Sequence, residues 1–115
     1  MARIEVTSRG CALNDELSAA VKREAGRLAE EWEGVESIDV AIEAANALGR
    51  GARAWVRITL ATREEIVTVS APAAPDPPDE ELRDALARGV ERAFGDARRR
   101  LSRTPSARPP PASAG

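Results

Sequence analysis

The sequence predicts an α+β domain whose elements follow the order β-α-β-β-β-α. Three features point to this class: three segments alternate apolar and polar residues and a fourth is rich in β-branched residues, two longer segments repeat apolar residues at helical spacing, and a proline-rich stretch separates the last strand from the last helix. We expect a four-stranded sheet with two helices packed on one face, so that the other face stays open to solvent or to a partner.

The N-terminal pattern predicts the first strand and the first helix. Apolar and polar residues alternate over residues 3–7, as a half-buried strand requires. Asn14 or Asp15 then offers a helix cap. Apolar residues recur after it at spacings of four, seven and four, at Leu17, Val21, Leu28 and Trp32. These signals predict a helix over residues 15–32.

The middle of the chain predicts three strands in an antiparallel meander. Residues 36–44 alternate in polarity, residues 52–62 form the longest alternating segment, and residues 66–71 are rich in β-branched side chains. Residues 46–51 contain two glycines and an asparagine, which suit a hairpin connection. A short polar turn joins the second and third strands of the meander.

The C-terminal third predicts a loop, a helix and a tail. Residues 71–78 hold four prolines and are expected to form a loop. Asp79 is placed to cap a second helix, whose apolar residues repeat at helical spacing: Leu82, Leu86, Val90, Ala93, Ala97 and Leu101. Residues 1–103 are therefore predicted to form the domain, and residues 104–115 a disordered tail rich in proline and alanine.

Composition limits the function classes. One domain is expected from 115 residues of which 43% are hydrophobic, and the single cysteine favours a reducing, cytoplasmic location. No signal peptide or membrane span is predicted. The chain has no histidine, which excludes the common zinc sites and histidine-dependent triads. We therefore expect no enzyme, no metal and no cofactor.

The second helix carries the strongest functional signal, a row of arginines. Four of them recur at spacings of four, seven and four and are predicted to share one face: Arg88, Arg92, Arg99 and Arg103. Arg98, Arg100 and Arg108 add to this positive charge. Guanidinium groups bind phosphate oxygens through paired donors, so the row is a candidate track for a nucleic-acid backbone. The alternative is that these arginines complement the helix dipole and aid solubility.

A second candidate surface lies on the longest predicted strand. Arg53, Trp55 and Arg57 point to its polar side, where the tryptophan is able to stack on a base while the arginines hold phosphates. Alternatively, Trp55 covers the open sheet face or forms a dimer contact. Arg9, just past the first strand, is a third candidate.

The charges are segregated along the chain. The net charge is −2, and the first helix with its flanks is acidic through Asp15, Glu16, Glu24, Glu30, Glu31, Glu33 and Glu36. That side is expected to avoid RNA. The hypothesis of RNA binding requires that folding gather the arginines onto one side of the molecule despite the negative total.

The ordered set of motifs resembles a known family over roughly residues 3–103. The motifs are IEVTSRG, LNDELSAAVKREAGRLAEEW, ESIDVAIEA, ARAWVRITL and ELRDALARGVERAFGDARRRLSR. They resemble the ribosome hibernation promoting factor and ribosome-associated inhibitor family, also called sigma-54 modulation proteins. The basic positions that match the family pattern are Arg9, Arg92, Arg98, Arg99 and Arg100, whereas Arg53 and Arg57 are candidates through the predicted strand alone.

The resemblance implies a short family member with a fold like that of double-stranded-RNA-binding domains. It implies binding to RNA of the small ribosomal subunit, in the channel for messenger and transfer RNA, so that translation is blocked by occupancy during stress. The alternative hypothesis is a diverged protein-interaction or dimerisation module that kept the fold without binding RNA. The acidic first helix and Trp55 motivate this alternative.

Overall fold

A computed structural model of the chain describes residues 2–9, 15–45, 53–73 and 81–107. It contains four strands, two helices and a short 3₁₀ turn: β1 (Arg3–Arg9), α1 (Asp15–Glu31), β2 (Val35–Ala45), β3 (Arg53–Thr62), β4 (Ile66–Ala73), α2 (Leu82–Leu101) and the turn Pro105–Ala107. The predicted α+β class and the order β-α-β-β-β-α are confirmed. The predicted hairpin at residues 46–51 lies outside the described residues.

The four strands form one mixed sheet in the order β1-β2-β3-β4. The first two strands are parallel because α1 connects them as a crossover, whereas β2, β3 and β4 run antiparallel as the predicted meander. Both edges of the sheet are formed by strands that pair on one side only, β1 and β4. Alternation alone did not indicate this order.

Both helices pack on one face of the sheet and enclose the core. Its largest fully buried side chains come from both helices and from the sheet, and include Phe94, Leu28, Ile38, Ile58 and Leu101. The alternating strand residues therefore divide into a buried set under the helices and a second set on the open sheet face. The predicted packing of both helices on one face is confirmed.

The predicted loop at residues 71–78 is wrong at its start. Strand β4 continues through Pro72 to Ala73, because proline is tolerated in an edge strand where its missing N–H is turned away from the neighbour. Helix α2 begins at Leu82 after the N-cap residue Glu81. The predicted cap, Asp79, lies outside the described residues.

The first residues of the expected tail pack on the domain. Thr104 and Ala107 are buried, and the backbone N–H of Gly34 donates to the carbonyl of Ala107 at 3.0 Å. The hydroxyls of Thr62 and Ser106 are hydrogen-bonded at 2.6 Å. The packed part of the chain therefore extends at least to residue 107. Ala107 is hydrogen-bonded next to the start of β2, and Ser106 is hydrogen-bonded to the end of β3. Residues 108–115 lie outside the described residues.

Candidate nucleic-acid interface

The outer face of α2 presents three of the predicted arginines together. Arg88, Arg92 and Arg99 line one shallow groove of about 420 Å³ with Glu91 and Gly95. All three arginine side chains are exposed, and they point away from the core because the buried residues of α2 lie on the opposite side of the helix. The prediction that these three arginines share a face is confirmed.

The charges on this face are only partly neutralised. Arg99 forms an ion pair with Asp96, one helical turn before it. Among the described residues, no carboxylate forms an ion pair with Arg92. The guanidinium of Arg92 is therefore able to bind an anion without breaking an ion pair within the described segments.

Arg98 occupies a different position, in the seam between the two helices. Its Nε donates to Glu31 Oε2 at 3.0 Å, and its Nη2 lies 3.5 Å from Glu24 Oε2. The hydrogen bond to Glu31 raises the pKa of the Arg98 guanidinium, an effect that partial burial opposes and the two carboxylate charges reinforce. This side chain joins α2 to the acidic helix and is turned away from the outer face.

The C-terminal arginines of α2 lie beside the free edge of the sheet. Arg100 and Arg103 line a groove of about 360 Å³ with Arg99, Asp96 and three residues of β4, namely Thr68, Val69 and Ser70. Arg103 belongs to the turn after α2 rather than to the helix, which ends at Leu101. It therefore leaves the predicted row of four and joins this groove instead.

The open sheet face holds the strand candidates. Trp55 is 39% exposed and pairs in register with Glu43 on one side and Pro72 on the other. Arg57 Nη1 lies 3.9 Å from Glu43 Oε1. Arg9, the last residue of β1, is the register partner of Glu43. Glu43 thus sits among the basic and aromatic candidates and partly offsets their charge.

Arg53 begins β3 and pairs in register with Ala45. It therefore lies at the same end of the sheet as Trp55, two residues away along the strand. The predicted row of Arg53, Trp55 and Arg57 thus shares one strand as expected.

The arginines do not gather on a single side, so that expectation is wrong. The outer face of α2 and the open sheet face lie on opposite sides, since the helix covers the face of the sheet that Trp55 and Arg57 turn away from. The two groups meet around the β4 edge, where Ser70 lines the groove of Arg100 and is the register partner of Arg57. Arg9 lies outside this meeting point, on β1 at the opposite edge of the sheet.

An acidic pair on the open face was not foreseen. Glu5 and Asp39 are register partners in the parallel pair β1 and β2. Burial raises the pKa of the Asp39 carboxyl, and the neighbouring Glu5 raises it further through a hydrogen bond and its charge, while Arg3 opposes the shift. Only the parallel register brings these carboxylates together, and no spacing in the sequence indicates that register.

Other kinds of site find no support in the parts of the chain that the structure describes. In these ranges no three histidine, cysteine or acidic side chains are grouped so as to hold a metal ion. No helix there is long and apolar enough to cross a membrane.

Comparison with known proteins gives matches only at the level of structure. No protein-family model matches the sequence, and no curated protein matches it. A ribosomal subunit interface protein from Coxiella burnetii superposes with a TM-score of 0.61 at 15% identity, over 90% of this chain and 98% of that one. The N-terminal domain of Protein Y from Thermus thermophilus superposes with a TM-score of 0.50 at 23% identity, over 86% of this chain and 98% of that domain.

The chain has the fold of the ribosome hibernation promoting factor family. The resemblance stated from the sequence is thereby confirmed at the level of the fold. On this hibernation-factor fold, the five matched basic positions fall in four places rather than one. Arg9 lies on the open sheet face, Arg92 and Arg99 on the outer face of α2, Arg100 at the β4 edge and Arg98 in the helix seam.

Proposed function

We propose that this protein is a ribosome-associated translation inhibitor that binds RNA of the small subunit and acts as a hibernation factor. The observation that carries the proposal is the fold shared over nine-tenths of the chain with a protein named as a ribosomal subunit interface protein. The proposed mechanism is occupancy of the messenger and transfer RNA channel. No bond is made or broken, so the affinity for RNA determines the effect.

The outer face of α2 supplies the central contacts in this proposal. Arg88, Arg92 and Arg99 lie along one groove, where Arg92 presents its paired donors directly to a phosphate and Arg99 does so by exchanging Asp96 for a phosphate. Arg100 and Arg103 extend the contacts to the β4 edge when no other anionic ligand occupies that groove. Together they form a surface that meets an RNA backbone without any sequence-specific contact.

Four further candidates have secondary roles. Arg98 forms ion pairs with Glu31 and Glu24, so this side chain positions α2 rather than contacting phosphate. Arg9 and Arg57 flank Glu43 on the open sheet face and reach only RNA that also contacts this face. Arg53 is the first residue of the same strand as Arg57, β3.

The acidic helix orients the molecule on its target. Two of the α1 carboxylates, Glu24 and Glu31, are bound by Arg98, whereas Asp15, Glu16 and Glu30 lie exposed on that helix. Phosphates repel this side and attract the outer face of α2. A chain with a net charge of −2 is therefore able to bind RNA in one orientation only.

Co-sedimentation with purified small subunits over a series of salt concentrations tests the proposal. We expect binding at low salt, with the logarithm of affinity falling by about 0.7–0.9 per phosphate contact for each tenfold rise in salt. The variant Arg92→Glu/Arg99→Glu should bind at least about tenfold more weakly. Arg27→Glu/Arg83→Glu makes the same change in net charge away from the proposed interface and should bind as the parent does.

Two results would contradict the proposal. One is absence of the parent chain from the small-subunit fraction at low salt. The other is equal weakening by both double variants, because that would show an effect of net charge alone.

A protein-interaction or dimerisation role is the second candidate, and Trp55 favours it. This side chain is 39% exposed and lies beside the exposed Pro72, so the open sheet face carries a small apolar patch. A homodimer through this patch should bury Trp55 and shift its fluorescence on dilution. The Trp55→Phe variant distinguishes the fluorescence of Trp55 from that of Trp32. A chain that stays monomeric at all concentrations would rule out the dimerisation role.

A further inference from the structure

In the described part of the chain, strand β4 has a neighbouring strand on one side only. It is the last strand in the order β1-β2-β3-β4, and among the described strands only β3 pairs with it. An edge of this kind presents a row of backbone N–H and C=O groups that another extended chain is able to bind.

Pro72 reveals which residues carry these free groups. It pairs in register with Trp55, and its nitrogen has no hydrogen, so it occupies a position whose N–H and C=O point away from β3. Backbone direction alternates along a strand, and Thr68 and Ser70 therefore share this outward direction. Val69 and Ala71, with buried side chains, hold the positions that bond to β3.

The groove along this edge contains both of those residues. Thr68, Val69 and Ser70 form one wall, and Arg99, Arg100 and Arg103 line it with Asp96. Arg99 pairs with Asp96, whereas Arg100 and Arg103 form no ion pair with any carboxylate in the described ranges. The groove therefore has a net positive charge beside unpaired backbone donors and acceptors.

The positive charge and the outward backbone groups indicate which kind of ligand fits the groove. A second copy of β4 would bring its own arginines against these, which like-charge repulsion opposes. A nucleic-acid backbone satisfies the guanidinium groups and the outward N–H groups, but a phosphodiester carries no donor for the outward carbonyls. An extended peptide with acidic side chains supplies donors, acceptors and negative charge at once.

We propose that the β4 edge binds an acidic peptide segment of a partner protein as a short fifth strand. Thr68 and Ser70 each give one donor and one acceptor to this strand. Carboxylates of the peptide pair with Arg100 and Arg103. Pro72 ends the pairing because it has no donor to offer. The site goes beyond the proposed function, since it needs no RNA.

Fluorescence anisotropy with a labelled eight-residue peptide that alternates valine and glutamate tests the proposal on the full chain. The expected results are saturable binding and no binding of the matching valine and lysine peptide. Arg100→Glu/Arg103→Glu should weaken binding at least about tenfold at low salt. Arg27→Glu/Arg83→Glu alters the net charge equally, outside the groove, and should leave the affinity within about twofold.

Ser70→Pro separates backbone pairing from charge. It removes an outward N–H without removing a bond to β3, and the arginines stay in place. We expect it to lower the affinity for the peptide about fivefold while leaving the unfolding transition near that of the parent. Hydrogen exchange of the unmodified chain gives a second measurement, in which saturating peptide should slow exchange at Thr68 and Ser70.

Several outcomes would overturn the proposal. Undiminished affinity of a folded Ser70→Pro variant would do so, as would unchanged exchange at both amides. A concentration-dependent dimer that protects these amides without peptide would assign the edge to a second copy. A single-stranded RNA that protects them when the peptide does not bind would assign it to phosphate. Because no ribosome is present, these results stand apart from the co-sedimentation test.

Discussion

The guanidinium of Arg98 on α2 lies between two carboxylates of α1, 3.0 Å from Glu31 through Nε and 3.5 Å from Glu24 through Nη2. The side chain is 31% exposed, so solvent screens this pair of contacts only in part. The interaction joins two helices that are far apart in sequence and holds the basic helix against the acidic one.

Removal of this charge should lower the stability of the fold. Arg98→Met keeps the aliphatic stem, and we expect it to reduce the free energy of unfolding by about 0.5–1 kcal/mol at low salt. Urea denaturation measures the change. Arg92→Met is the matched control, because no carboxylate in the described residues pairs with Arg92. Equal losses for both variants would show that the seam contributes nothing specific.

Gly89 allows the close approach of α2 to the sheet. A Cβ at this position would lie 2.7 Å from the Cβ of Ala73 and 3.4 Å from Cγ2 of Val56. Gly89→Ala should therefore cost about 1–3 kcal/mol of unfolding free energy through overpacking. Gly95 lies on the same helix with nothing within 4 Å of an added Cβ, so Gly95→Ala should stabilise the fold by up to about 1 kcal/mol. Thermal unfolding of the two variants compares them directly, and a stabilised Gly89→Ala would refute the close contact.

The segment after α2 contributes to the domain. A chain that ends at Arg103 loses the hydrogen bond from Gly34 to Ala107, the bond between Thr62 and Ser106, and the buried Ala107. We expect about 1–3 kcal/mol less unfolding free energy than for a chain that ends at Ala107. Chemical denaturation of the two truncated chains measures the difference. Identical midpoints would restore the domain boundary that the sequence suggested.

The same contact makes Gly34 sensitive to substitution. A Cβ there would lie 2.7 Å from the carbonyl carbon of Ala107, so Gly34→Ala displaces the turn Pro105–Ala107. The loss in stability should resemble that of the chain that ends at Arg103. In the chain that already ends at Arg103, the substitution should cost much less, and an undiminished cost in that background would contradict this explanation.

Stability should depend on pH through Asp39 on the open sheet face. Its pKa is raised in the fold by burial and by Glu5, so the folded chain holds this proton more tightly than the unfolded chain does. The free energy of unfolding therefore falls as pH rises from the unfolded pKa through the folded pKa. Asp39→Asn should remove this part of the pH dependence and raise stability at neutral pH.

Thermal unfolding between pH 3 and pH 7 measures this effect. Glu64→Gln, in the turn between β3 and β4, makes the same change in net charge away from Glu5. If both substitutions alter the pH profile alike, the cause is net charge rather than the neighbouring carboxylate.

Sequence patterns predicted the elements well where the signal is local. Alternation placed the buried residues Ile38 and Ile58, and helical spacing placed Leu28 and Leu101 in the core. The pattern failed at Pro72, since tolerance for proline depends on the strand lying at an edge. It also failed after Arg103, where packing of Thr104 and Ala107 depends on β2 and β3.

The candidate site was predicted in part for the same reason. The shared face of Arg88, Arg92 and Arg99 follows from helical spacing alone. The partners that neutralise other arginines, such as Glu31 and Glu43, belong to distant elements and were not indicated. The remaining roles in RNA binding stay predictions.

The sequence by itself determined the type and order of the elements and the direction in which each side chain leaves its own helix or strand. These properties repeat every two or every 3.6 residues, so neighbours along the chain establish them. Only the tertiary structure decided that β4 is an edge of the described sheet, that Arg98 meets Glu31 across 67 positions, and that the arginines are divided between the helix side and the open face of the sheet. The reason is physical: strand order, register and ion pairs depend on contacts between segments, whose energies no single segment contains.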